Sequence, residues 1–160
     1  MLLNHYTNDT ENNVQLSFAY DLDGSMTSRP VDGTSGWTQL WNGENRMIET
    51  YKGSDRLTFK YDYMGRRVEK CVYSGNTLLS KTCYVYDGFK CVEELDALNG
   101  NAVTMRHFWQ PFDAGLDVIL ATTDSSGTSF FLHDANKNVI KVFLKCYCDL
   151  TTSPSNFCFS

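Results

Sequence analysis

The residues best able to do chemistry in this 160-residue chain are its six cysteines, at Cys71, Cys83, Cys91, Cys146, Cys148 and Cys158. A disulfide framework would staple the whole length, yet the first 70 residues contain none. A structural zinc site favours paired Cys-x-x-Cys spacings, and Cys146-Tyr147-Cys148 with Cys158 is only a distant approach to that pattern. The spacing points instead to small, half-buried thiols in a reducing compartment, with no metal and no cofactor. His107 and His133 stand among aromatic residues without a nucleophile, base and orienter around them, so packing is their expected role. Asp21, Asp23 and Asp32, or Glu93, Glu94 and Asp96, could attract calcium. Turn acids, however, bond to the backbone, and consecutive glutamates in a strand point to opposite faces. Ser35-Gly36 and Ser125-Ser126-Gly127 lack the context of a phosphate loop, and Asn8-Asp9-Thr10 is a formal glycosylation acceptor. No enzyme is expected.

Composition sets the frame for these residues. Hydrophobic residues make up 42% and charged residues 21%, which excludes a disordered chain. Nine tyrosines and ten phenylalanines favour pleated, half-buried surfaces. The length suits one domain. A net charge of −5, with basic residues scattered apart from Arg66-Arg67, gives no footprint for nucleic acid. No apolar run approaches the roughly 18 residues of a membrane span. The opening Met1-Leu2-Leu3-Asn4-His5-Tyr6 lacks the basic head and apolar stretch of a secretory signal, so the chain as written reads as unexported, or as one piece of an exported parent.

A short signature recurs along the chain: an aromatic or polar residue, any residue, an aromatic, then Asp or a relative. It appears as Phe18-Ala19-Tyr20-Asp21, Phe59-Lys60-Tyr61-Asp62 and Tyr84-Val85-Tyr86-Asp87. Weaker copies are Gln39-Leu40-Trp41-Asn42, His107-Phe108-Trp109-Gln110 and Phe131-Leu132-His133-Asp134. The third positions step by 21, 20, 25, 23 and 24 residues. Residues two apart share one strand face, so each copy sets an aromatic row. The acid then opens a turn. In Asp21 to Gly24 and Asp62 to Gly65, the acid bonds forward to turn amides and glycine takes positive φ, as in a type I turn with a bulge. Asn42 to Asn45 keeps this logic, because asparagine is next best at positive φ. Asp87 to Lys90 and Asp134 to Lys137 put lysine where glycine is expected, and these turns are expected to be remodelled.

Strand, turn, strand and second turn make one unit, and six copies give about a dozen strands. The reading is an all-β chain of tandem antiparallel hairpins forming a curved, up-and-down strip. Residues 1–13 form a flexible lead, 14–143 the strip, and 144–160 a divergent tail expected to be dispensable. Open strand edges make self-association the expected behaviour of the isolated chain.

These residues resemble the YD-repeat family, also called RHS repeats, whose unit is Tyr-Asp, two residues, Gly-Arg and a hydrophobe. Tyr61-Asp62-Tyr63-Met64-Gly65-Arg66-Arg67-Val68 is the closest copy, and Trp41-Asn42-Gly43-Glu44-Asn45-Arg46-Met47 is similar to a variant with Glu-Asn-Arg. Arg106 to Val139 resembles the passage leading into the family's C-terminal core. The resemblance implies a spiral β-shell built from flanking repeats, enclosing a toxic C-terminal domain of a secreted or cell-surface parent. The self-cleaving aspartyl segment of bacterial members has no counterpart after Phe143. The alternative is an adhesive or carbohydrate-binding module with exposed aromatic rows.

Overall fold

Alternation between Asp-, Asn- and Gly-rich turns leaves each segment one way to pair, against its sequence neighbour, and the computed structural model has this architecture. It describes residues 8–11, 14–31, 34–111 and 118–145. A two-stranded ladder joins β1 (Asn8–Glu11) and β2 (Val14–Ser17) within the expected lead and its border. The remaining strands are β3 (Ala19–Tyr20), β4 (Met26–Val31), β5 (Thr34–Trp41), β6 (Met47–Lys52), β7 (Asp55–Tyr61) and β8 (Arg67–Ser74). They continue as β9 (Thr77–Asp87), β10 (Lys90–Asp96), β11 (Ala102–Trp109), β12 (Ile119–Asp124), β13 (Gly127–His133) and β14 (Val139–Lys145). They form one 12-stranded antiparallel sheet that follows chain order from β3 to β14, with no helix among the described residues.

Leu144 and Lys145, which the sequence reading assigns to the tail, pair with Ser129 and Thr128 in β14. Residues 146–160, with Cys146, Cys148 and Cys158, lie outside the described residues, as does Asp32.

The chain divides into two compact units, one up to Thr82 and one from Cys83. Within each unit, and among the described residues, strands contact only their sequence neighbours, β2 against β4 excepted. Among the described residues neither unit has a second layer of structure over its sheet. Among the described residues only Leu16, Cys71, Val118 and Ala121 are buried apolar side chains. Leu40, Ile48, Phe108, Phe130 and Leu132 stay substantially exposed. Main-chain pairing and cross-strand contacts therefore carry more of the stability than burial does.

Opposite charges reinforce the ladders. Lys60 and Lys81 approach Glu69 from the strands on either side, at 2.8 and 3.0 Å. Arg56 lies 3.7 Å from Glu49 and stacks over the Tyr73 ring at 4.1 Å. Arg106 reaches Glu93 at 3.0 Å.

Candidate functional site: a repeated turn and aromatic clasp

The signature residues assemble into a recurring main-chain device. At Asp21, Asn42, Asp62 and Asp134 the residue's N–H donates to the carbonyl four residues on, at 2.9 to 3.0 Å. Its own carbonyl accepts from the N–H three residues on, at 3.0 to 3.2 Å. The Oδ1 atom accepts two further N–H groups: Asp23 and Ser25 for Asp21, Glu44 and Arg46 for Asn42. Met64 and Arg66 donate to Asp62 in the same way, and Asn136 and Asn138 to Asp134. An acceptor one methylene from the backbone is what this geometry needs, and Asp or Asn supplies it in these four turns.

The fourth turn residue has positive φ throughout: 87° at Gly24, 56° at Asn45, 82° at Gly65 and 67° at Lys137. The two lysine-bearing copies thus part company. The Asp134 turn keeps the common form despite Lys137, because four hydrogen bonds to Asp134 hold it, and the expectation of remodelling fails there. Asp87 instead ends β9, and Gly88-Phe89 makes a two-residue loop with Gly88 at φ 56°. Glycine directly after the acid offers the first-position geometry of a type II′ turn, so the shorter loop prevails.

Immediately before the turn, the register slips at Tyr20, Trp41, Tyr61, Trp109 and His133. Each aromatic pairs so as to leave one residue of the outgoing strand unopposed: Thr27, Ile48, Val68, Leu120 and Ile140 respectively. These are β-bulges, and they re-aim the signature side chain. The polar ends of three aromatics then reach back to an earlier strand. Trp41 Nε1 donates to the Met26 carbonyl at 2.7 Å, and the Tyr61 hydroxyl to the Met47 carbonyl at 2.8 Å. Trp109 Nε1 donates to the Cys91 carbonyl at 2.7 Å, while Lys90 Nζ donates to the Gln110 carbonyl at 3.2 Å. Met26 and Met47 open the strands that leave the previous turns, so each clasp ties one repeat to the one before it.

Arg46 and Arg66 have different tasks. Arg66 Nε and Nη2 both meet Asp62 Oδ2 at 2.7 Å, filling the oxygen that the backbone leaves. Arg46 bonds Glu44 at 2.8 Å, lies 5.9 Å from the Tyr61 ring centre, and fits against Gly65. A Cβ on Gly65 would come within 2.7 Å of its Nη2. Gly65→Val should therefore cost about 1–2 kcal/mol from backbone strain, with the Arg46 contact adding to it. Urea unfolding checks this, and an unchanged midpoint would show that the turn is not held in this form.

Charge follows the geometry. Partial burial raises the Asp62 carboxyl, but bonds from the Arg66 side chain and from the Arg66 and Met64 amides outweigh it and hold the group below its usual range. The Asn138 side-chain amide lowers Asp134, and the Ser126 hydroxyl lowers Asp124. Hydrogen bonds from Lys60 and then Lys81 lower Glu69, and the bond to Glu69 raises Lys60. A carboxyl lowered by folding stabilises the fold above its unfolded pKa of about 4, and that contribution vanishes as pH falls through the folded value. The melting temperature is accordingly expected to fall with acid below about pH 4. Asp62→Asn should flatten that slope; an equally steep one would remove Asp62 from its causes. The raised Lys60 acts oppositely, losing its contribution only as pH rises above the ordinary lysine range.

His107 Nε2 lies 3.2 Å from Glu94 Oε1, while its Nδ1 and the Nε2 of His133 are buried without hydrogen-bond partners among the described residues. Glu93 and Glu94 engage separate partners, Arg106 and His107. A wide-open depression is lined by turn residues such as Asn42, Arg46, Tyr61 and Asp62. The sequence reading places a bulge within the turn; the further bulges on the outgoing strands and the clasps are absent from it. Their only signal is the hydrophobe that follows each turn, at Ile48, Val68 and Ile140.

The class defined by these features is a tandem β-hairpin protein with side-chain-anchored turns. The chain is similar to the tRNA3(Ser)-specific nuclease WapA of Bacillus spizizenii, with 34% identity over 131 residues. The match covers 79% of this chain and 5% of the relative's length. No family model matches the chain.

Proposed function

We propose that the chain is a non-catalytic segment of a YD-repeat shell, which encloses or displays a C-terminal, toxin-like domain of a larger parent. One observation carries the reading: a clasped hairpin unit recurs in a sheet over which, among the described residues, neither unit lays a second layer. Such a surface acquires its cover from something else, and flanking repeats with an enclosed domain are the cover we propose. The similarity to a small part of a tRNA nuclease supports the reading. We assign the nuclease activity in that protein's name to a part outside the matched stretch. The scattered basic residues, at a net charge of −5, suit a segment that does not grip RNA.

Two measurements test this. The purified chain, incubated with tRNA, should leave it intact; cleavage abolished by a point substitution in the chain would overturn the reading. A longer protein, carrying flanking repeats and a following domain, should protect that domain from protease until the repeats are cut. A domain digested equally fast with intact repeats would refute enclosure. The isolated chain should self-associate, and the longer one should stay soluble.

A further inference from the structure

Two asparagines of the chain are followed directly by glycine, at Asn42-Gly43 and Asn99-Gly100. Glycine has no Cβ to shield its nitrogen, so that nitrogen can approach the Cγ of the preceding side chain. The fold treats the two pairs differently. Asn42 is half-buried, and its Oδ1 accepts the N–H groups of Glu44 and Arg46, both at 3.0 Å. Asn99 is exposed, as are Gly100 and Asn101, and its side chain has no hydrogen bond among the described residues. It stands first in a type I′ turn: Gly100 and Asn101 have φ of 61° and 60°, and the Ala102 N–H donates to the Asn99 carbonyl at 3.0 Å. The glycines themselves are alike. Neither N–H has an acceptor among the described residues, and a Cβ on either would meet nothing within 4 Å. The asparagine side chain makes the difference.

We infer that Asn99-Gly100 is a site of spontaneous backbone modification, which Asn42-Gly43 escapes. The Gly100 nitrogen gives its proton to solvent base and bonds to Asn99 Cγ. The Cγ–Nδ2 bond breaks, and ammonia leaves with a proton taken from solvent. The succinimide ring so formed adds water at one of its two carbonyls. Opening between Cγ and the Gly100 nitrogen leaves aspartate. Opening between the main-chain carbon and that nitrogen leaves isoaspartate, whose chain runs through the former side chain. No atom is oxidised or reduced, and water is the only co-reactant. At Asn42 the carboxamide must turn its face to the Gly43 nitrogen, and it cannot turn while two amides hold Oδ1. Giving up those bonds slows closure by about 10- to 100-fold. Isoaspartate adds a methylene to the turn between β10 and β11, and it moves the carbonyl that accepts the Ala102 N–H onto a side branch as a carboxylate. The new charge joins that of Asp96, whose Oδ1 already accepts the Leu98 N–H at 2.9 Å. With age, this hairpin therefore loosens at its turn, while the Asn42 turn persists.

Tryptic peptide mapping of the full chain by mass spectrometry tests the inference, after incubation in mildly alkaline buffer with and without urea. The two sites fall on separate peptides, and each product carries water in place of ammonia. Methylation by protein isoaspartate methyltransferase tells isoaspartate from aspartate. In the folded chain Asn99 should react about 10- to 100-fold faster than Asn42. In urea, where the fold no longer distinguishes them, the two rates should agree within about threefold. Hydrogen exchange at Ala102 should quicken as isoaspartate accumulates. Equal rates at the two sites in the folded chain would overturn the inference, as would an Asn99 that stays intact while Asn42 reacts. Unchanged exchange at Ala102 would overturn the loosening of the turn. None of these outcomes bears on tRNA cleavage or protease protection, so the modification and the enclosing role fail separately.

Discussion

Gly36→Ala is expected to be the most damaging single substitution in the first unit, at a cost on the order of 3 kcal/mol. Between the pairs Arg29–Trp37 and Val31–Thr34 the register shifts, so Ser35 and Gly36 together oppose Pro30. The two backbones run so close there that a Cβ on Gly36 would overlap the carbonyl of Arg29. Main chain in a paired ladder cannot swing aside as a side-chain tip can, so β4 and β5 would have to part. Gly43 provides the contrast, because a Cβ there meets nothing within 4 Å. Gly43→Ala should change stability by less than about 0.5 kcal/mol. Urea unfolding of the two variants checks the pair, and equal midpoints would show that the strands do not approach this closely.

In the second unit, the largest effect is expected at Trp109. Its indole is half-buried, and its Nε1 holds the Cys91 carbonyl. Trp109→Phe keeps much of the ring contact and drops the bond, for about 1 kcal/mol. Trp109→Ala removes both and should cost about 2–3 kcal/mol. The difference between the variants separates the clasp from packing. If phenylalanine were as stable as tryptophan, the hydrogen bond would contribute nothing to joining the repeats.

Much of this fold was legible because its turns are chemical as well as conformational. Asp62 and Gly65 each meet a need that few residues satisfy, and their spacing states the turn. Asn45 at φ 56° follows from the same reasoning. Lys137 did not, since intrinsic preference argues against lysine there; the bonds converging on Asp134 decide the conformation from outside that residue. The loop after Asp87 turned on the adjacent Gly88, a local competitor that the repeat pattern obscured. The bulges at Ile48 and Val68 were invisible for another reason: a hydrophobe reads alike whether opposed or not. The role of Gly36 depends on Arg29 across the ladder, and no local pattern encodes that distance.

The neighbour-only contacts within each unit also determine how the chain yields to force. A protein resists pulling when distant strands are sheared together and many hydrogen bonds must break at once. Here each strand is held by the strands beside it in sequence, so tension at an end loads only the outermost hairpin, bond by bond, like a zipper. Each hairpin that lets go exposes the next, and the unravelling proceeds in steps of about one repeat. The aromatic clasps act as catches along that path: Tyr61 must release the Met47 carbonyl, and Trp41 the Met26 carbonyl, before their strands can peel away. The resulting sheet is mechanically compliant, able to be drawn out as a linear thread at low force and to re-form one hairpin at a time.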